Sequence, residues 1–371
     1  MQNKFDRRKF IALSAAAGTS LWLPLSCSSQ SKAQSTGSGK SKDSIGVALL
    51  GLGSYSRGQL APALQLTQHC HLAGIITGTP SKIPTWQEKY AIPDKNVYTY
   101  DSMDQIADNE DIDVIYIVTP TGTHARFAIA AANTGKHVWC EKPMAMDVAE
   151  CQSIIDACAK NKVQLTLGYR MQHEPNTLEF NSYADTQPFG KIQRMDAHAG
   201  YYGGGGTGWR FEKEMGGGAL YDMGVYTVNG LRNATKLFPE RVISAKQYTK
   251  RPELFTEVDE TTEYILEFPG GLRAYGKTSV GENTNFIKAT CKEGWYELSP
   301  MQSYTGVKGQ RSDGEILGPA VPNQQSIQMD DDALALLEGR TMSIAGEEGL
   351  KDIQIIQAII QSAAEQRSIN L

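Results

Sequence analysis

A chain of 371 residues, 40% hydrophobic and 21% charged, is long enough for two domains with real cores and has an ordinary globular composition. Its formal net charge of -5, with no basic block beyond the N-terminus, argues against nucleic acid as a partner. Six scattered cysteines without a C-x-x-C pair argue against a zinc site or a disulfide framework, so no metal is expected and the thiols read as buried and free.

From the start of the chain, Asp6-Arg7-Arg8-Lys9-Phe10 precedes an uncharged stretch over residues 11–27. Such a run behind a basic start is a secretory signal, not a membrane span. The paired arginines point to the twin-arginine route and hence to the periplasm. Ser31-Lys32-Ala33 suits cleavage, giving a signal over 1–33. Cys27 is a competing lipoprotein cysteine, although Pro24 stands where a lipobox usually has leucine. Residues 34–44 continue a Ser/Gly/Lys-rich flexible linker.

The next 120 residues alternate strand and helix patterns, which predicts a parallel doubly wound sheet over 45–163. The apolar run 45–50 leads into Gly51-Leu52-Gly53-Ser54-Tyr55-Ser56 and then a helical pattern. Gly51 permits a tight turn, and Gly53 lets the backbone approach a pyrophosphate at the helix N-terminus. A second strand over 72–77 should end on a carboxylate if the ligand is NAD. Residues 44–87 contain no Asp or Glu. Thr77-Gly78-Thr79-Pro80-Ser81-Lys82 stands there instead, hydroxyls and an ammonium suited to the 2'-phosphate of NADP. A strand over 113–118 ends at Thr119-Pro120, and His124 starts the helix that follows. Helix starts and packing are the commoner uses of such a histidine, and His124 receives no catalytic role.

Gly135 stops that helix, and Val138-Trp139-Cys140 is a short buried strand with Glu141-Lys142-Pro143 at its carboxyl end. Ligands of open α/β sheets bind beyond such strand ends. An ammonium beside a carboxylate there reads either as a plain ion pair or as a group that binds a hydroxyl and moves a proton.

The second half, 164–371, places Asp222 and Tyr226 at i, i+4 on a helical pattern over 218–234, so that both project from one face. The glycines at 216–218 let the start of this helix approach a flat ligand. β-rich runs follow at 263–267, 272–277, 286–291 and 293–298, and helices at 332–338 and 347–366.

Several of these motifs together carry a family. Gly51-x-Gly53, Thr119-Pro120-x-x-x-His124, Glu141-Lys142-Pro143, Gly168-Tyr169-Arg170, Trp209-Arg210 and Asp222-x-Gly224-x-Tyr226 resemble the glucose–fructose oxidoreductase / inositol dehydrogenase family, the glucose–fructose branch in particular. Tyr226 stands where the inositol dehydrogenase branch has histidine, and the glycine run at 203–206 departs from the pattern. The resemblance implies a Rossmann domain followed by an α/β domain with a large, mostly antiparallel open sheet, which commonly makes a homodimer or homotetramer. It also implies a nicotinamide cofactor, a sugar substrate and Lys142 at the reacting carbon. The cofactor contacts it implies are Gly51, Gly53, Ser54, Tyr55, Thr77, Gly78, Lys82, Thr119, Pro120, His124, Glu141, Lys142, Arg170, Trp209 and Arg210.

The resulting expectation is an exported NADP-dependent enzyme that oxidises C1 of a cyclic aldose to a lactone. Lys142, Tyr226 and Asp222 are its expected catalytic residues. Tyr226 is expected as general base, with the Lys142 ammonium favouring the phenolate, since a free lysine titrating near ~10.4 is a poor base at neutral pH. Glu141 sets the electrostatics of Lys142, and Asp222 orients the sugar. Outside the cytoplasm no nicotinamide pool re-oxidises a released cofactor, so a retained cofactor recycled by a second sugar is expected. An NAD-dependent glycoside hydrolase of the same superfamily and a non-catalytic sugar-binding protein are the alternatives.

Overall fold

The structure, a computed structural model, describes residues 43–203, 208–319 and 321–371. The expected signal, Cys27 and most of the linker lie outside these residues. Strand β1 (Ile45–Leu50) is buried along its whole length. Val47 and Leu49 enter one apolar cluster, Ala48 and Leu50 another. Alternate side chains point to opposite faces, so a strand that feeds two cores reads as one continuous apolar run.

The chain then forms a short π-helical turn (Ser56–Leu60), α1 (Ala61–Ala63), β2 (Cys70–Ile76), α2 (Ile83–Tyr90), β3 (Val97–Tyr98) and β4 (Val114–Ile117). It continues through α3 (His124–Asn133), β5 (His137–Cys140), α4 (Val148–Asn161) and β6 (Leu165–Leu167). All six strands are parallel, in the order β3-β2-β1-β4-β5-β6. The order reverses between β1 and β4, which opens a crevice at their carboxyl ends. The expected boundary at 163/164 falls one strand early, because β6 pairs with β5 and completes this sheet.

The second sheet has eight strands. They are β7 (Ile192–Tyr202), β8 (Arg241–Tyr248), β9 (Thr261–Phe268), β10 (Leu272–Ser279), β11 (Gly281–Cys291), β12 (Trp295–Leu298), β13 (Gly309–Arg311) and β14 (Ile369–Asn370). Every neighbouring pair is antiparallel except β7 with β10. The expected mostly antiparallel sheet is therefore present. Helices α5 (Pro175–Thr186) and α6 (Val225–Thr235) pack against it.

Two further helices close the fold. α7 (Gln324–Leu337) starts well before the expected Asp332, with the Asn323 side chain accepting from the Ser326 N–H as its cap. The buried residues of its first turns are Gln324, Gln325 and Gln328, so apolar periodicity does not reveal where it starts. α7 also returns to the first sheet, where Met329 and Ala333 join the cluster of Val47 and Leu49. α8 (Gly346–Glu365) packs on β8 and α4. The five described cysteines are buried and free, as expected.

Candidate active site

The crevice beyond β1, β4 and β5 is a cavity of about 970 Å³ roofed by the second sheet's loops. That is the upper end of the usual range for ligand sites. Gly51 takes φ +98°, and a Cβ there would lie 2.8 Å from the Val118 carbonyl oxygen. Only glycine makes this turn without strain. At Gly53 a Cβ would meet nothing within 4 Å, so the turn is open on its cavity side. The buried Ser56 hydroxyl donates to the Gly51 carbonyl and closes the turn from behind. Ser54 and Tyr55, at the start of the helix, line the cavity. Such a cradle fits a pyrophosphate.

At the β2 end, the Thr77 hydroxyl accepts from the Thr79 N–H at 3.1 Å. The Lys82 ammonium reaches across to donate to the Leu52 carbonyl at 3.0 Å. Thr77, Thr79 and Lys82 line the cavity, and its described lining contains no acid other than Glu141 and Asp222. Gly78 does not reach it. A Cβ at Gly78 would lie 2.6 Å from the ring of Tyr100, so this glycine instead seats Tyr100 in the wall.

Thr119 and Pro120 line the cavity where β4 ends, together with His124. Both His124 ring nitrogens lie 2.8 Å from carbonyl oxygens, of Pro143 and Thr119. The ring staples the β4 turn to the Glu-Lys-Pro turn, and burial lowers its pKa. Neither nitrogen is left for a ligand.

Glu141 and Lys142 part company. The Tyr116 hydroxyl donates to Glu141 at 2.7 Å, inside the sheet. Burial raises the Glu141 pKa, and Lys142 and the Tyr116 bond pull it back. The Lys142 ammonium instead donates to the main-chain oxygen of Asp222 at 3.2 Å and lies 4.2 Å from the ring centroid of Tyr226. The plain strand-end ion pair is not what these two residues form.

The helix carrying Asp222 and Tyr226 begins with a π turn (Leu220–Gly224) and continues as α6. Gly218, at φ +96°, sets its start; a Cβ there would lie 2.3 Å from Asp259. Asp222 and Tyr226 are mostly buried and both line the cavity, beside Lys142. The Asp222 carboxylate accepts from Tyr201 at 3.0 Å and from Arg210 at 2.9 Å. Arg210 in turn stacks on Trp209, 4.4 Å from its centroid. Trp209 and Arg210 thus line the cavity with Asp222.

Arg170 does not reach the cavity. It is buried behind the wall and donates to the main-chain oxygens of Gln302 and Ser303 and to the Gln324 side chain. It holds the loop between β12 and β13, whose Gln302, Ser303 and Tyr304 line the cavity with Asn285. None of these four, nor Tyr201, was foreseen. Tyr201 had a faint signal in the alternation of β7, but the loop has none. Of the glycine run at 203–206, only Gly203 is among the described residues, and it lines the cavity.

A parallel sheet of this order, with a glycine cradle at its switch point and a lysine and tyrosine beside it, is the architecture of a dinucleotide-dependent oxidoreductase. The oxidoreductase family GFO/IDH/MocA, NAD-binding Rossmann fold, matches residues 45–169, and its C-terminal domain matches 179–297. The crystal structure of an aldose-aldose oxidoreductase from Caulobacter crescentus is 34% identical with a TM-score of 0.85, over 88% of this chain and 100% of that one. An NADP-dependent D-xylose 1-dehydrogenase of Haloferax volcanii is 24% identical over 87% of this chain and 98% of its own length. An uncharacterized oxidoreductase of Rhizobium meliloti is 31% identical, a match spanning 52% of that protein. The chain belongs to the GFO/IDH/MocA family of NAD(P)-dependent oxidoreductases.

Proposed function

We propose that the protein is an NADP-dependent sugar oxidoreductase that oxidises C1 of a cyclic aldose to a lactone. The observation that carries this reading is that Lys142, Asp222 and Tyr226 line the same cavity as the Gly51–Gly53 cradle. The acid-free β2 end, with Thr77, Thr79 and Lys82, favours NADP. The likeness to an aldose-aldose oxidoreductase and an NADP-dependent xylose dehydrogenase supports a sugar substrate.

A bound nicotinamide supplies the hydride acceptor. The protein supplies the rest. Asp222, held by Tyr201 and Arg210, orients sugar hydroxyls. The Tyr226 oxygen takes the proton of the C1 hydroxyl, and the Lys142 ammonium beside the ring favours negative charge on that oxygen as the proton moves. Glu141 sits behind Lys142 as a buried carboxyl that tunes its field.

Export by the twin-arginine route, with or without a lipid at Cys27, belongs to the same reading, as does a homodimer or homotetramer built through the second sheet. Among the described residues no helix is long and apolar enough to cross a membrane. An exported enzyme has no nicotinamide pool to draw on, so the cofactor stays bound and a second sugar is reduced as the first is oxidised.

Mass spectrometry of the cofactor released from purified protein, followed by a sugar panel read by nicotinamide fluorescence, tests this. NADP retained through dialysis and reduced by an aldose is the expected result. Protein that emerges cofactor-free and binds NADP only at high micromolar levels would overturn the recycling, and a panel with no response would overturn the activity.

A further inference from the structure

Arg170 is 1% exposed, and among the described residues it meets no carboxylate. Its bonds go to main-chain oxygens and an amide, and its Nε has no acceptor. A permanent charge buried in this way is costly unless something negative balances it. What it faces is aromatic. The guanidinium carbon lies 5.6 Å from the ring centroid of Tyr226 and 4.9 Å from that of Tyr304.

The surrounding charges do not cancel. Arg210 is paired with Asp222. Lys142 lies over the Tyr226 ring and, among the described residues, has a carbonyl as its acceptor. Glu141 is the remaining carboxyl, and its burial favours the neutral form. Among the described residues, Arg170, Arg210 and Lys142 thus stand against Asp222 and Glu141, and the place short of negative charge is at Tyr226.

We propose that Arg170 is a positioning residue for the reaction, a fixed positive charge behind the cavity wall that balances the negative charge carried by the Tyr226 oxygen while a proton passes to it from the substrate hydroxyl. The proposal rests on the sugar-oxidoreductase reading. Arg170 exchanges no proton itself. An arginine suits the place because it keeps its charge when buried, which a lysine gives up readily.

In Arg170→Met, single-turnover oxidation of an aldose by the cofactor-loaded protein is expected to slow about 10- to 100-fold, with sugar affinity held within about threefold. Arg170→Lys, a cation that burial readily discharges, should recover only part of the loss. Should Arg170→Met fail to fold, Arg170→Gln makes the same comparison. Gln324→Met is the control for loop shape, because the Gln324 amide donates to the Ser303 main-chain oxygen at 3.0 Å and accepts from Arg170 while lying outside the cavity lining. If it slows the step as much as Arg170→Met, the charge is not the cause and the proposal falls.

A second arm needs no turnover. Tyr226→Ala leaves a hole that added 4-nitrophenol can fill, and its phenolate is read by visible absorbance. Binding about tenfold weaker in Tyr226→Ala/Arg170→Met than in Tyr226→Ala is the expected result. Equal binding overturns the charge role whatever the sugars do, while a wild-type protein inert to every sugar overturns only the activity.

Discussion

Lys142 meets Tyr226 through the face of the ring, not at the hydroxyl, so the two residues can be separated by mutation. An ammonium over an aromatic face is held by the ring quadrupole. Tyr226→Phe keeps that seat and removes only the oxygen. Its turnover on aldose is expected to fall about 10²–10⁴-fold while bound cofactor stays at the wild-type level, the usual size of a general-base effect. Lys142→Met removes the charge and should fall in the same range. Unchanged single-turnover rates in both variants would take the pair out of the mechanism. His124 shows the other outcome at this scale: a histidine lining the cavity has both nitrogens occupied by carbonyls and serves the wall.

The elements that shape the cavity turn on a few glycines, and each has its own reason. Gly51 has a left-handed φ and no room for a side chain, whereas Gly53 has room but faces the cradle. The two alanine variants should therefore part. Gly51→Ala is expected to destabilise the cofactor-free protein by about 1–3 kcal/mol, read by urea unfolding. Gly53→Ala should leave the cofactor-free Tm within about 2 °C yet weaken NADP binding about tenfold, because its methyl group occupies the approach to the pyrophosphate. Similar melting losses in both would mean that the cradle reading is wrong. Gly122 belongs to the same argument: a Cβ there would lie 2.0 Å from the Glu214 carbonyl oxygen, where the segment after Trp209 crosses the β4 turn.

At the scale of the whole molecule, the two sheets are joined by a helix that changes sides. α7 follows β13 of the second sheet in sequence but lies on the first sheet, and Asp332 points into that joint. Its carboxylate accepts from the Thr166 hydroxyl of β6 at 3.3 Å, and its second oxygen has no partner among the described residues. Burial pushes its carboxyl up to about 7, with His173 and the Thr166 bond pulling back. The folded value is above the ~3.9 of an unfolded aspartate, so the folded chain holds a proton that the unfolded chain has released. That contribution to stability is full below about pH 4 and is lost as the pH rises through about 7. Asp332→Asn should flatten this dependence and gain on the order of 1 kcal/mol over the wild type at pH 8 relative to pH 5, measured by urea unfolding. Parallel stability–pH curves for the two proteins would refute it. The sequence by itself determined the doubly wound sheet, the glycine turn, the seat of Lys142 and the placing of Asp222 and Tyr226 one helical turn apart. Each of these is written in a run of adjacent residues, as an apolar strand, a glycine at its end or a helical spacing. Only the tertiary structure decided that Glu141 turns inward to Tyr116, that Arg170 stands behind the wall, and that Tyr201 and Tyr304 complete the site. The physical reason is separation. The bond from Arg170 to Gln302 closes a span of 132 residues, and the first turns of α7 bury glutamines, so neither leaves a periodic trace in the chain.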